Sequence, residues 1–429
     1  MRPNAKTDRV KAEAAGGEAE AVIARLAHQG DGIAMVDGRV VHVPLTAPGD
    51  RVRIAYGGTH GHVLERLADG PDRVAPPCPH FGACGGCALQ HIAPEAERRF
   101  KQESLGDTLA QRGFTDPPLA ELVVIPARTR RRASLSFRIT GGKAELGFYR
   151  AGTRAVLDLE TCLVLRPEIM AALPGLKPAL AGCLPEGCTG RLHVTLSETG
   201  LDVDLSPSEA LAPAQITVLP RAFGMLDLAR LTLDGAALAQ QRKPLIRIDG
   251  VAVTPPPRAF LQPSAEGEAA LINWVRDGVG PARRVLDLFS GLGTFALPLA
   301  KAAQVHAVDS DDALLAALGE AVRHAKGLKP VTTEARDLLR SPLPAKLLAP
   351  YDAVVFDPPR AGAKTQTEAL AQSGVPRIVA VSCNAATFAR DARLLCDSGY
   401  VIQWIRPLDQ FRWSAHIELV ALFTRGAKR

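Results

Sequence analysis

The sequence predicts a multi-domain α/β protein: a small, OB-like N-terminal β-barrel, a mixed α+β central domain and a C-terminal doubly wound sheet. Three observations lead there. At 429 residues the chain is too long for one ordinary core. Near its start, about fifty residues read as short strands punctuated by Gly and Asp. From about Ala265 onward, apolar strands and amphipathic helices alternate.

In chain order, residues 1–18 form a polar Ala/Glu/Lys-rich stretch expected to be a disordered tail. Residues 19–70 hold the barrel strands "AVIARLA", "GIAMVDGRVVHVP" with its Asp-Gly turn, "DRVRIAYG" and "GHVLERLA", a shape often used to grip nucleic acid. Residues 71–260 are the central domain. It opens with the loop "APPCPHFGACGGCALQHI", continues with a helix over "PEAERRFKQESLGDTLAQRG", and carries strands such as "RASLSFRIT", "ELGFYR", "RLHVTLSE" and "LDVDLS". "VTPPPRAFLQPSAEG" reads as a hinge into residues 261–429. There the strands are "RRVLDLFS", "AQVHAVDSD", "VTTEARDLL", "YDAVVFDPPR", "RIVAVSC", "YVIQWIRPLD" and "HIELVALFTR", with helices over "TFALPLAKA" and "DDALLAALGEAVRHA". In sheets of this kind ligands sit beyond the carboxyl ends of the strands, where "DLFSGLG", "DSD", "DPPR" and "SCN" all fall.

Composition narrows the function classes. Hydrophobic residues make up 47% and charged residues 22%, a soluble balance. The 51 Lys and Arg against 45 Asp and Glu give +6, compatible with a polyanionic partner. "RTRRR" at Arg128–Arg132 is either a solvated charge run or a phosphate-contacting edge. The first twenty residues contain no apolar core of a signal peptide, and no run approaches the ~20 apolar residues of a membrane span. The expectation is a cytoplasmic chain without membrane association. Its eight cysteines then read as metal, redox or catalytic groups, or as core, rather than as a disulfide framework.

"VLDLFSGLGTFALPLA" is a strand, a glycine turn and a helix start. Gly291 and Gly293 allow close backbone approach to a ligand, and Asp287 can accept hydrogen bonds at the strand end. The same residues satisfy G-x-G-x-x-A, so a nicotinamide oxidoreductase competes. Asp309, sixteen residues past Gly293, suits ribose hydroxyls of either NAD or S-adenosylmethionine. "FDPPR" separates the two, because its paired prolines make a rigid ledge at a strand end.

"VLDLFSGLGTFALPLA", "DPPRAG", "VSCNAATFARD" and "HIELVALF", in this order and spacing, resemble the RNA 5-methyluridine methyltransferase family over residues 20–429. The resemblance implies a class I methyltransferase domain at the C-terminus, S-adenosylmethionine as methyl donor and a TRAM-like N-terminal barrel that binds RNA. It implies cofactor contacts at Gln262, Phe289, Gly291, Gly293, Thr294, Asp309, Asp337 and Asp357. Ser290, Thr294 and Ser264 depart from the commoner Cys, Asn and Asn, and Arg412 and Ser414 depart from D-x-F-P-x-T-x-H-x-E while His-x-Glu is kept.

Uracil C5 is a poor nucleophile, and thiolate attack on C6 makes it a carbanion equivalent. Such chemistry needs a thiolate, a proton acceptor and a methyl donor around one flipped-out base. Cys383, between Ser382 and Asn384 at a strand end, is the expected nucleophile; a buried inert thiol is the bland alternative. Glu418 matches the family's base for the C5 proton, against a salt-bridged edge residue.

Cys78-x₅-Cys84-x₂-Cys87 places three thiols in a glycine-rich loop, and Cys162 matches the family's fourth ligand. Four soft sulfurs suit zinc or an iron–sulfur cluster, and the resemblance to the rRNA-modifying branch favours [4Fe–4S]. Cys183, Cys188 and Cys396 read as bland. The sequence therefore points to a monomeric uracil-5-methyltransferase of structured RNA, 23S rRNA ahead of tRNA. An amino-group methyltransferase and a noncatalytic RNA-binding protein with a decayed methyltransferase domain are the competitors.

Overall fold

The structure is a computed structural model that describes residues 16–425. Five strands, β1 (Gly17–Leu26), β2 (Gly32–Val36), β3 (Arg39–Val43), β4 (Arg51–Gly57) and β5 (His60–Ala68), close a barrel in the order β1-β2-β3-β5-β4. Asp37 and Gly38 both take positive φ, the geometry a tight hairpin between β2 and β3 needs. Alternation turns Ile23, Ala34, Val41, Val52 and Ile54 inward as the barrel core. Most of the expected tail lies outside the described residues, and its last two residues, Gly17 and Glu18, already belong to β1.

The loop with Cys78, Cys84 and Cys87 leads to α1 (Pro94–Ala110) and the short strand β6 (Val123–Val124). A seven-stranded sheet follows: β7 (Arg132–Thr140), β8 (Lys143–Tyr149), β9 (Val156–Asp158), then, after α2 (Pro167–Cys183), β10 (Thr189–Ser197) and β11 (Gly200–Pro207), and after α3 (Pro213–Phe223), β12 (Leu228–Leu233) and β13 (Ala236–Gln240). α2 and α3 pack on one side of it around Leu173, Leu176, Leu180 and Phe223. The hairpin β14 (Ile246–Ile248) and β15 (Val251–Val253) takes the first residue of the expected hinge, Val253, and its last three, Ala265 to Gly267, already belong to the next helix, which Ser264 caps.

The last part comprises α4 (Ala265–Val279), β16 (Arg284–Leu288), α5 (Ala296–Leu299), β17 (Gln304–Asp309), α6 (Asp312–His324), β18 (Val331–Ala335), α7 (Ala345–Leu348), β19 (Ala353–Phe356), α8 (Lys364–Ser373), β20 (Arg377–Ser382), α9 (Ala385–Asp397), β21 (Tyr400–Asp409) and β22 (Glu418–Arg425). The helix expected over "TFALPLAKA" is only the four residues of α5. The sheet order is β18-β17-β16-β19-β20-β22-β21-β6, parallel from β18 to β20, with β22 antiparallel to both neighbours. Order reverses at β16, which opens a crevice between the ends of β16 and β19.

Each strand of this sheet feeds two cores. Val285, Val355, Val379, Val381 and Val420 face α4 and α5, whereas Leu286, Phe356, Ile378, Ala380 and Leu419 face α1, α8 and α9. By that two-residue period Asp287, Asp357, Cys383 and Glu418 all share the α4 side, at or just past the strand ends.

Candidate active site

The β20–β22 register sets the centre. Ser382 pairs with Leu419, so Cys383, one residue on, stands across from Glu418. Directly opposite residues of an antiparallel pair project to the same face within side-chain reach. Cys383 is half-buried between the end of β20 and the start of α9. Asn384 caps α9 through the Ala386 and Thr387 amides, and its Nδ2 donates to the Arg360 carbonyl at 3.0 Å. The thiol strand is thereby tied to the Asp-Pro-Pro-Arg ledge.

Burial pushes the Cys383 thiol up to about 11, helped by the charges of Glu418 and Asp357 and opposed by Arg360. Burial, then the Asp357 charge, lifts Glu418 well above the usual carboxylate range. Burial likewise raises Asp357, to about 7. Two amides satisfy these carboxyls. Gln410 Nε2 donates to Glu418 Oε2 at 3.2 Å and to Gln262 Oε1 at 3.0 Å, and Gln262 Nε2 lies 3.4 Å from Asp357 Oδ2.

The crevice side is built by backbone. Phe289 takes φ +61°, a left-handed conformation that a non-glycine residue holds only under constraint. Gly291 N–H donates to Asp309 Oδ2 at 2.8 Å, and the second Asp309 oxygen accepts from the Asp311 amide. Gly293, at φ +88°, leaves no room for a side chain, because a Cβ would stand 2.5 Å from Leu318 Cδ1. A Cβ on Gly291 would meet nothing within 4 Å, so the loop turns that face to open space. Asp287 is buried without a hydrogen-bond partner on either oxygen, as is the Ser290 hydroxyl. Burial, then the charges of Asp357 and Asp309, pushes Asp287 well above the carboxylate range, and the Ala296 backbone only eases this. Orphaned polar atoms beside an open glycine cradle fit a polar, hydroxyl-bearing ligand such as S-adenosylmethionine.

Of the residues expected to touch cofactor, Phe289, Gly291, Gly293 and Thr294 follow β16, Asp309 ends β17 and Asp357 follows β19. Gln262 is buried just before α4. Asp337 lies after β18, exposed, its carboxylate accepting the Leu339 and Arg340 amides of its own turn. Sequence reasoning missed Gln410; the only available signal was a polar side chain between Asp409 and Phe411 ahead of an apolar strand.

The arginine run is not a free basic edge. Arg131 Nη2 meets Glu268 Oε2 at 2.6 Å, its Nε donates to the Gln262 carbonyl, and both side chains are buried. Arg132 lies over the Phe260 ring at 4.3 Å, and burial lowers its guanidinium to about 10. Arg130 is packed where the Cys162 and Cys87 charges bear on it. Only Arg128 of the four is exposed. The acidic partner was invisible because it lies on α4, far along the chain.

Cys78, Cys84, Cys87 and Cys162 do converge: Cys87 and Cys162 both feel the other sulfurs, and burial pushes Cys87 up to about 12. Gly86 N–H approaches Cys84 Sγ at 3.4 Å, and the Val164 and Leu165 backbone acts on Cys162. The expected four-sulfur shell is not closed, however. Among the described residues no three His, Cys, Asp or Glu side chains form a group ready to hold a metal. Cys183 is core, donating to the Ala179 carbonyl, and Cys396 packs against the α9 side of the sheet.

Among the described residues no helix is long and apolar enough to cross a membrane. The fold is shared with the Pyrococcus abyssi tRNA (uracil-54, C5)-methyltransferase, solved with S-adenosyl-L-homocysteine. The TM-score is 0.74 at 24% identity, covering 95% of this chain and 100% of that one. That fold is a methyltransferase fold. Residues 345–426 match the tRNA (uracil-5-)-methyltransferase family model. A Brucella melitensis protein named as an RNA methyltransferase is 45% identical over 92% of this chain and 95% of its own length. The 23S rRNA (uracil(1939)-C(5))-methyltransferase RlmD of Chromohalobacter salexigens is 32% identical over 95% of this chain and 89% of its own. The chain belongs to the RNA uracil-5-methyltransferase family.

Proposed function

We propose that this protein methylates C5 of a uridine in 23S rRNA through a transient bond between Cys383 and uracil C6. The observation that carries the reading is the nearness of Cys383, one residue past the last β20–β22 pair Ser382–Leu419, to the buried Glu418, whose charge bears on the thiol. The doubly wound class I domain supplies both from adjacent strands. Cys383 passes its proton to the neighbouring Asp357 carboxylate, and its sulfur pair bonds to C6 while the C5=C6 pair moves toward the C4 oxygen. Bound S-adenosylmethionine supplies the methyl group that C5 takes. Glu418, as carboxylate, then removes the remaining C5 proton; the C–H pair restores C5=C6 and sulfur leaves with the C6–S pair. Asp357 and Gln262 line the base, and Asp309 and the Gly291 turn hold the cofactor, with Phe289, Gly293, Thr294 and Asp337 completing that side.

Support for 23S rRNA comes from the relative named RlmD and from the four cysteines. tRNA is the second reading, favoured by the family model's name over the same residues that carry Cys383 and Glu418. The N-terminal barrel would act as a TRAM-like grip on structured RNA. The donor set of Cys78, Cys84, Cys87 and Cys162 fits a [4Fe–4S] cluster by softness and by the amides aimed at its sulfurs. Its contribution would be to hold the loop. An anaerobic absorption spectrum with metal analysis tests it: a colourless protein with one zinc sinks the cluster. The function itself is tested by mapping 5-methyluridine in rRNA and tRNA of a deletion strain. Loss at one 23S position, restored by the intact gene and not by Cys383→Ala, is expected. Unchanged 23S rRNA overturns the reading.

A further inference from the structure

The Glu418 side chain is closed in, with the residue 4% exposed, and the group holding it has no part in the chemistry above. Gln410 sits just past Asp409, the last residue of β21, on the turn that returns to β22. An amide nitrogen carries two protons, and Gln410 directs both inward, one to Glu418 Oε2 and one to Gln262 Oε1. Through Gln262 the ladder continues to Asp357.

Three features keep Gln410 in place. Asp409 is bound by Lys101 Nζ at 2.7 Å, and the same ammonium meets Glu97 Oε1 at 2.8 Å; Lys101 itself is 1% exposed. Glu97 Oε1 also accepts the Trp413 N–H at 2.9 Å, so α1 fastens the turn on both sides of Gln410. Gly267 on α4 leaves the space the amide fills, since a Cβ there would stand 2.5 Å from Gln410 Oε1. A buried lysine with two carboxylates costs desolvation, which is compensated only while all three stay paired. That makes the turn stiff, and a stiff turn is what a proton acceptor at fixed distance needs.

We infer that Gln410 is a positioning residue for Glu418, holding its carboxyl in the orientation that takes the C5 proton as the C6–S bond breaks. This rests on the reading of Glu418 as the base. If the orientation is lost, the addition and methyl transfer still proceed, but elimination slows and the methylated adduct persists.

The test compares the parent with Gln410→Met, which keeps volume and removes the amide. Methyl-tritiated S-adenosylmethionine and total RNA from a deletion strain serve as substrates. For Gln410→Met we expect kcat to fall at least tenfold, KM for RNA to stay within threefold, and methyl-labelled, denaturant-stable RNA–protein adduct to rise severalfold. Turnover within twofold of the parent, or a loss of rate without adduct, overturns the inference. Gly267→Ala is the second variant, because it displaces the amide from behind; adduct should rise there too, and a well-folded Gly267→Ala without adduct counts against the inference equally. Glu418→Gln is run alongside. Parent-rate turnover by Glu418→Gln defeats the base assignment itself, and this inference with it, whereas trapping by Glu418→Gln without trapping by Gln410→Met defeats the positioning role alone.

Discussion

The strand-end site and the cysteine loop both gather residues distant in the sequence, but they are held differently. At the strand ends, pairing fixes geometry before any ligand arrives: the β20–β22 register runs to Ser382 and Leu419, with Cys383 and Glu418 next to them, and buried amides already satisfy the carboxyls. In the loop Cys78, Cys84 and Cys87 lie on irregular backbone between β5 and α1, and Cys162 on the loop between β9 and α2. A site on sheet ends is organised by the backbone, whereas a site on loops completes itself on what it binds. The two are nevertheless joined. The backbone of Ala88 and Leu89, just past Cys87, donates to the Trp413 carbonyl, on the turn that carries Gln410. Arg130 to Arg132 run from the sulfurs to Gln262 and Phe260.

The comparison breaks hardest at Cys383. Cys383→Ala should lower methyl transfer about 10⁴-fold or more, the scale seen when a nucleophile is removed, with S-adenosylmethionine affinity within twofold. A radiolabelled transfer assay beside calorimetric cofactor binding checks both halves. Glu418→Gln should next stall the reaction after methylation, visible as a labelled RNA–protein band on denaturing gels. In the loop, by contrast, the proposed cluster predicts that Cys87→Ser leaves the strand-end chemistry intact but lowers copurifying metal and weakens RNA binding, measured by metal analysis and filter binding. Cys188→Ser, outside the set, should change neither.

The joint between the regions gives a further test. Glu268→Gln leaves the buried Arg131 guanidinium without its counter-charge. Breaking one side of such a pair costs about 3–5 kcal/mol. Urea unfolding should show that loss, and Arg131→Met with Glu268→Leu together should recover most of it.

Much of this was legible beforehand where the signal is local. β7 coincides with "RASLSFRIT" because period-two alternation is written into consecutive residues. The strand-end motifs set Asp309, Asp357 and Cys383 at the ends of β17, β19 and β20 and Glu418 at the start of β22, because each borders an apolar run that must be a buried strand. What failed is what depends on remote partners. The arginine run read as a solvated charge run or a phosphate-contacting edge, since nothing near it shows that Glu268 and Phe260 close over it. Lys101 sits in a polar helical stretch and yet is buried, because Asp409, far along the chain, meets it. Gln410 was overlooked for the same reason: a lone glutamine becomes meaningful only when the register sets Glu418 beside it.

The smallest effect concerns the resting thiol. A nucleophilic cysteine at a helix start is commonly expected to be ionised near neutrality. Here burial and two neighbouring carboxyls hold Cys383 up to about 11, so at neutral pH the free protein carries it as the thiol. The sign is fixed: the thiolate fraction grows as pH rises toward that value, about tenfold per pH unit while well below it. Iodoacetamide labelling of Cys383, read as the difference from Cys383→Ala, should therefore climb about tenfold per unit between pH 7 and 9 without a plateau. A plateau below pH 8 would mean the thiolate is already formed in the free site. Without a plateau, ionisation awaits RNA, when the base enters and Asp357 receives the proton.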